Sequence, residues 1–258
     1  MNNFEINSLF DFFNYWKKFT QPTEFYCEGW LTRLLIFSVT DYGLKDHDLY
    51  IKENCKYFSE SLLYSPFLSR FEKDPLAESF THADSAIGEF QIGDEKNKGS
   101  LILLGNSLKI VEAKINSEFS QGVTNAKFYN QSARYIACIT ETIDRANKIN
   151  NLTDLSINFY LTVPKPRYLE KPSYRASLDK KNIYNVVKKR VEQYKNENSN
   201  NCSDYDNRKL WLSSKFCKVL EKTIIKPVFY EDVIADLQGY KFANEINNYY
   251  TMCLEYNK

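Results

Sequence analysis

At 258 residues, with 43% hydrophobic and 16% aromatic side chains, the chain can organise one hydrophobic core with sizeable insertions and is too apolar for general disorder. A formal net charge of +1 excludes a molecule-wide pull toward phosphate, so any nucleic-acid footprint must be a local basic patch. No stretch approaches the length needed to cross a bilayer, and the six cysteines (Cys27, Cys55, Cys138, Cys202, Cys217, Cys253) lack CxxC spacing, which points to reduced thiols in a cytoplasmic protein.

The stretch from Phe4 to Phe19 places Phe12, Phe13, Trp16 and Phe19 close together on an amphipathic helix. Docking on the core is its expected fate, with a membrane surface as the alternative. From Glu24 to Thr40, Trp30, Leu31, Leu34, Leu35 and Ile36 predict a helix, with Glu28 near its start where a carboxylate suits the dipole. A second helix is expected from about Asp48 to Leu63, before an irregular connection bracketed by Pro66 and Pro75.

At His82 the texture changes. Ser85–Ile92, Ser100–Leu104 and Leu108–Ile115 are short apolar runs that predict an antiparallel three-strand meander, turning at Gly93–Gly99 and at Gly105-Asn106-Ser107. After a polar loop containing Gly122, residues Asn125 to Lys148 show helical spacing, and Leu155 to Val163 alternates as a strand ended by Pro164 and Pro166. A basic helix at Lys180–Lys195, a polar loop at Asn196–Asn207, a helix at Arg208–Glu221, a strand at Ile224–Tyr230 that could extend the sheet edge, and a terminal helix from Glu231 complete the chain.

Two segments place charges inside strands that otherwise want burial: Ala83-Asp84-Ser85 and Val111-Glu112-Ala113-Lys114. Side chains alternate along a strand, so Glu112 and Lys114 project to one face. Two carboxylates converging on one spot repel, and a hard divalent cation, Mg²⁺ or Mn²⁺, is the usual way to keep both ionised. Such a cation activates water and polarises phosphate oxygen, while Lys114 steadies the developing charge. A structural ion pair at a sheet edge is the competing explanation.

On these residues the chain resembles the PD-(D/E)XK nuclease superfamily, whose members place an Asp near the start of one strand and E-x-K late in a following one, here Asp84 and Glu112-Ala113-Lys114. Ala83 stands where the family often has Pro. Glu28 in CEGWLTRLL is similar to the family's early helical Glu, and Gln131 in YNQSARY to its Gln or basic residue on the following helix. The resemblance covers roughly residues 24 to 163. It implies an α/β fold with a restriction endonuclease-like core (helix, three-strand antiparallel meander, helix, strand) in which helices flank a mixed sheet. All 258 residues would form one domain, with a helical extension over about 167–258. It also implies catalytic Asp84, Glu112, Lys114, Gln131 and Glu28, and Mg²⁺ or Mn²⁺ bound by Asp84, Glu112 and Ala113. The substrate would be nucleic acid, DNA before RNA, cut in restriction, repair or phage defence, and a homodimer is compatible with this. A catalytically silent binding or scaffolding member is the alternative.

Helical spacing groups Gln131, Arg134 and Tyr135 into a polar lip, with Arg134 and Tyr135 expected to meet substrate phosphate. Glu89 lies at an odd offset from Asp84 and predicts the opposite face. His47 and His82 sit in no nucleophile elbow, and no phosphate-loop motif occurs. The cations of Lys180–Lys195 form a solvated helix face or, alternatively, track a nucleic-acid backbone.

Overall fold

The computed structural model describes residues 6–16, 18–94, 99–117, 125–196 and 202–258. The loop around Gly122, the middle of the Gly93–Gly99 turn and the beginning of the polar Asn196–Asn207 loop fall outside them.

Helices α1 (Ile6–Trp16), α2 (Pro22–Phe25) and α3 (Glu28–Tyr42) precede a five-stranded sheet of β1 (Lys56–Leu63), β2 (Thr81–Ile92), β3 (Leu101–Ala113), β4 (Ser156–Val163) and β5 (Ile224–Phe229). The strands lie in the order of their numbers. β1, β2 and β3 pair antiparallel, whereas β4 joins β3 and β5 joins β4 in parallel. Each parallel pairing needs a crossover. The first is α4 (Gln131–Arg145). The second is longer: α5 (Lys165–Glu170), α6 (Pro172–Leu178), α7 (Lys180–Glu192), α8 (Cys202–Trp211), a π-helical turn at Leu212–Phe216 and α9 (Cys217–Lys222). Helices α10 (Tyr230–Asp236) and α11 (Ala243–Tyr256) end the chain.

The expected α/β architecture with a mixed sheet between helices is present. Successive side chains of a strand face opposite sides, and the core splits accordingly. Ile110, Phe159 and Leu161 face a cluster with Ile136 and Ile139 of α4 and with Val187 and Val219. Val111, Tyr160 and Val228 face a second cluster with Leu31 and Leu35 of α3 and with Ile246 and Tyr249 of α11. Phe13 of α1 is 2% exposed and packs on Trp30 and Tyr249, so the aromatic N-terminal helix docks on the core. No described helix is long and apolar enough to cross a membrane.

Three expectations are corrected. The polar segment expected to be a loop over Asn196–Asn207 is helical from Cys202 onward. The segment expected to be helical from Asp48 to Leu63 ends in strand β1, because its burial alternates over Lys56–Leu63 and it hydrogen-bonds to β2. The apparent turn at Gly105-Asn106-Ser107 does not separate two strands: it lies inside β3. Pairing passes from Gly88↔Leu108 to Phe90↔Leu103, so four residues of β3 bulge opposite Glu89 alone. The antiparallel three-strand unit therefore exists, built from β1, β2 and β3.

Helix ends follow local chemistry. α3 places Glu28 in its first turn and stops at Gly43, whose φ of 83° is the left-handed C-terminal conformation glycine tolerates. Asn130 caps α4 by accepting the Ala133 N–H, which fixes the start of the helix at Gln131.

Candidate active site

Ser85 pairs with Val111 across β2 and β3. One step further along this antiparallel ladder, Asp84 stands opposite Glu112. Glu112 faces α4 and is fully buried. Three donors converge on its carboxylate. Lys114 Nζ lies 2.5 Å from Oε1, Gln131 Nε2 donates to Oε1 at 2.5 Å, and Tyr135 OH donates to Oε2. Tyr135 is anchored in turn by the main-chain carbonyl of His82, 2.7 Å from its hydroxyl. Asp84 is held from the other side, its Oδ2 accepting the Ala113 N–H at 2.7 Å.

Glu28 completes the group. From the first turn of α3 its Oε2 accepts the Ile115 N–H at 2.9 Å, which ties the helix to the chain just beyond Lys114. Beneath the group sits a knot of hydroxyls with no sequence signal: Thr162 Oγ1 donates to the Glu112 carbonyl at 3.2 Å, and Tyr230 OH lies 3.3 Å from both Thr162 Oγ1 and Thr32 Oγ1. A strand buried on both faces, as β4 is, places such hydroxyls where they brace neighbouring backbone.

The electrostatics follow from burial. Burial, and then the nearby charge of Asp84, push Glu112 up to about 8 despite the Lys114 ammonium and the Tyr135 hydrogen bond. Burial also raises Glu28, opposed by the charge of Lys114. Burial works against the Lys114 charge too, but Glu112, Glu28 and Asp84 outweigh it, and its proton is held more tightly than usual. The ammonium stays charged among three carboxyl groups.

Asp84, Glu112, Lys114, Gln131 and Glu28 thus come together, as expected. Of the expected polar lip, Gln131 and Tyr135 meet, Gln131 Nε2 donating to Tyr135 OH at 3.4 Å. Tyr135 is wholly buried and faces Glu112, so it positions a carboxylate. The charge of Arg134 acts on Glu78 and Cys138, and its Nε is buried with no hydrogen-bond partner among the described residues. Helical geometry sets the two apart: at about 100° per residue, Arg134 and Tyr135 leave the helix in different directions. Glu89 faces the bulge, accepting the Asn106 N–H at 2.7 Å, and takes no part in the site.

Asp84, Glu112 and the main chain of Ala113 offer hard oxygen donors. Their opposition across one ladder, with Glu112 raised to about 8, is the electrostatic cost that a hard divalent cation offsets. The donor set fits Mg²⁺ or Mn²⁺ with water completing the shell. It is a sparse set: among the described residues no three His, Cys, Asp or Glu side chains form a metal-holding group. A cavity of about 780 Å³ lies elsewhere, lined by residues such as His47, Asp48, Phe229 and Asp232. The convergence of buried charge, and not concavity, marks the candidate site.

No known family profile, curated protein or solved structure matches the chain.

Proposed function

We propose that the chain is a metal-dependent phosphodiester hydrolase of the PD-(D/E)XK type, with a restriction endonuclease-like core, acting on DNA. The observation that carries this reading is the meeting of Asp84, Glu112 and Lys114, 28 and two residues apart along the chain, in one buried polar cluster where Gln131 and Tyr135 also hold Glu112. A buried carboxylate as strongly perturbed as Glu112 is more frequent at functional sites than elsewhere.

A bound Mg²⁺ or Mn²⁺ would supply a polarised phosphate oxygen and an activated water. The chain's own part is positional. Asp84, Glu112 and the main chain of Ala113 would hold the cation, with the Ala113 N–H and Tyr135 fixing the two carboxylates. Lys114 orients the attacking water and balances the negative charge that grows on the phosphate. Gln131 keeps the Glu112 carboxylate from rotating, and Glu28 sets the distance between α3 and the end of β3.

One observation favours a second reading, a catalytically silent nucleic-acid binder: both Glu112 oxygens already have protein donors. Incubation of the purified protein with plasmid, linear, single-stranded DNA and RNA decides between the two. Wild type is expected to cut in Mg²⁺ or Mn²⁺ and not in chelator, whereas Glu112→Ala and Lys114→Ala lose at least about 100-fold, the scale of a missing charge-stabilising group. Equal cutting by wild type and both variants would remove the assignment of these residues, and no cutting on any substrate would favour the silent binder.

A further inference from the structure

β4 runs parallel to β3 with Thr162 beside Ala113, so the chain leaving Val163 emerges next to Lys114. It turns at once into α5 and α6. Two hydrogen bonds fasten this corner to the segment that follows Lys114: Arg167 Nη2 donates to Asn116 Oδ1, and Tyr174 OH donates to the Ser117 carbonyl at 2.7 Å. Proline stands within the first two positions of both helices, where its fixed φ presets the turn. The corner is therefore a stiff ledge at the same end of the sheet as the carboxylates.

Its charge is concentrated. Between Lys165 and Arg175 the sequence KPRYLEKPSYR carries Lys165, Arg167, Lys171 and Arg175 against Glu170 alone, in a molecule whose formal net charge is +1. Lys165 is matched by Asp232 at 3.0 Å. Arg167 and Arg175 differ, because they are oriented by neutral acceptors, the Asn116 amide in one case and the Tyr168 and Leu169 carbonyls in the other. Such bonds aim a guanidinium without cancelling its charge, and an aimed guanidinium suits phosphate. Arg175 is exposed, and Arg167 and Lys171 are half-buried.

The rival surface is the basic run on α7. Arg190 is buried against Glu78 at 2.8 Å and Lys188 faces Glu192 at 4.0 Å. Two of its cations, Arg190 and Lys188, are thus set against carboxylates of the fold.

We propose that the α5–α6 corner grips the sugar-phosphate backbone of a polynucleotide, with Arg167, Lys171 and Arg175 meeting phosphates that flank the one at the carboxylates. The assignment rests on the hydrolase reading for what happens at Asp84 and Glu112, and adds where the substrate lies.

The test is fluorescence anisotropy of the full chain with labelled single-stranded and duplex DNA and RNA, in chelator so that nothing is cut. The expected result is that Lys171→Glu combined with Arg175→Glu weakens binding about tenfold or more, and flattens the log–log salt dependence by roughly two, one for each lost phosphate contact. Lys181→Glu combined with Lys188→Glu on α7 binds like wild type. The single variants Lys171→Ala and Arg175→Ala, at unchanged melting temperature, each weaken binding severalfold. Single variants that bind like wild type, an equal loss in the α7 variant, or a wild type that binds no polynucleotide would each overturn the proposal. Hydrolysis is scored separately. Binding that depends on the corner without any cleavage in Mg²⁺ would condemn only the hydrolase reading, and cleavage with binding indifferent to the corner would condemn only the ledge.

Discussion

Glu112 shows how a single side chain carries opposed demands. It is fully buried, faces Asp84 across the ladder, and is still served by an ammonium, an amide and a phenol. With its carboxyl raised from an ordinary 4.5 to about 8, the folded protein holds this proton more tightly than the unfolded chain does. The stability it contributes is therefore complete below the ordinary carboxylate range and is lost as pH climbs toward 8. Each tenfold change in proton affinity is about 1.4 kcal/mol, so the loss amounts to a few kcal/mol. Glu112→Gln keeps the shape and cannot ionise. Its melting temperature should gain on wild type steadily between about pH 5 and pH 8, and Mg²⁺ should raise the wild type alone at the upper end; parallel curves would show that the burial of this carboxylate is not costly. Asp84, Glu112 and Lys114 were legible because charges inside apolar runs are conspicuous. Tyr135 was legible as a neighbour of Gln131 but not as a buried prop, since helical spacing gives the face and not the depth. Thr162, Thr32 and Tyr230 were not legible at all, because nothing in a hydroxyl side chain announces that it braces a distant backbone.

Among the elements, β3 is the most instructive. Gly105-Asn106-Ser107 carries the composition of a tight turn, yet the chain continues in one strand because the bulge has partners: Glu89 takes the Asn106 N–H, and Gly88 lets the Ser107 carbonyl close in. A Cβ on Gly88 would lie 2.2 Å from that carbonyl oxygen, and backbone cannot step aside as a side chain can. Gly88→Ala should therefore cost about 2–3 kcal/mol, the scale of overpacking in a close-fitted interior. Gly29→Ala is the matched comparison. It lies in α3, its added Cβ would meet nothing closer than the Arg33 guanidinium at 3.6 Å, and it should gain up to about 1 kcal/mol. Urea midpoints of the two variants check this directly, and equal midpoints would mean that the bulge can relax. Strand β1 was misread for a related reason. Tyr57, Phe58, Leu62 and Leu63 suit a helix face as well as a strand, and only pairing with β2, which leaves Phe58 43% exposed, decides between them. α3, α4 and β4 were legible because long periodic runs leave no such choice.

Across the whole molecule, the segment expected to be a helical extension belongs to both halves of the core. β5 closes the parallel side of the sheet, Val187 and Val219 join the cluster under α4, and Ile246 and Tyr249 join the one under α3. The clearest bond between early and late chain is Arg190 of α7, which read as one cation of a basic face but is completely buried. Its Nε donates to Glu78 at 2.8 Å, and its guanidinium lies over the rings of Phe67, Tyr129 and Tyr194. Burial already raises the Glu78 carboxyl even with Arg190 against it, so removing the arginine leaves a buried charge supported only by the Ser65 hydrogen bond and the charge of Arg134. Arg190→Met should cost about 3–5 kcal/mol at neutral pH. The loss should shrink in mild acid, where Glu78 takes up a proton, and Glu78→Leu combined with Arg190→Met should recover much of it, because two apolar side chains need no partner. The transition should stay single and coincident by fluorescence and circular dichroism, since Glu78 precedes β2 and Arg190 lies in the crossover to β5 and the two cannot part without opening the same core. Two separated transitions in the Arg190→Met protein would instead mean that the chain beyond Val163 folds as a unit of its own, and that the site end of the sheet does not need it.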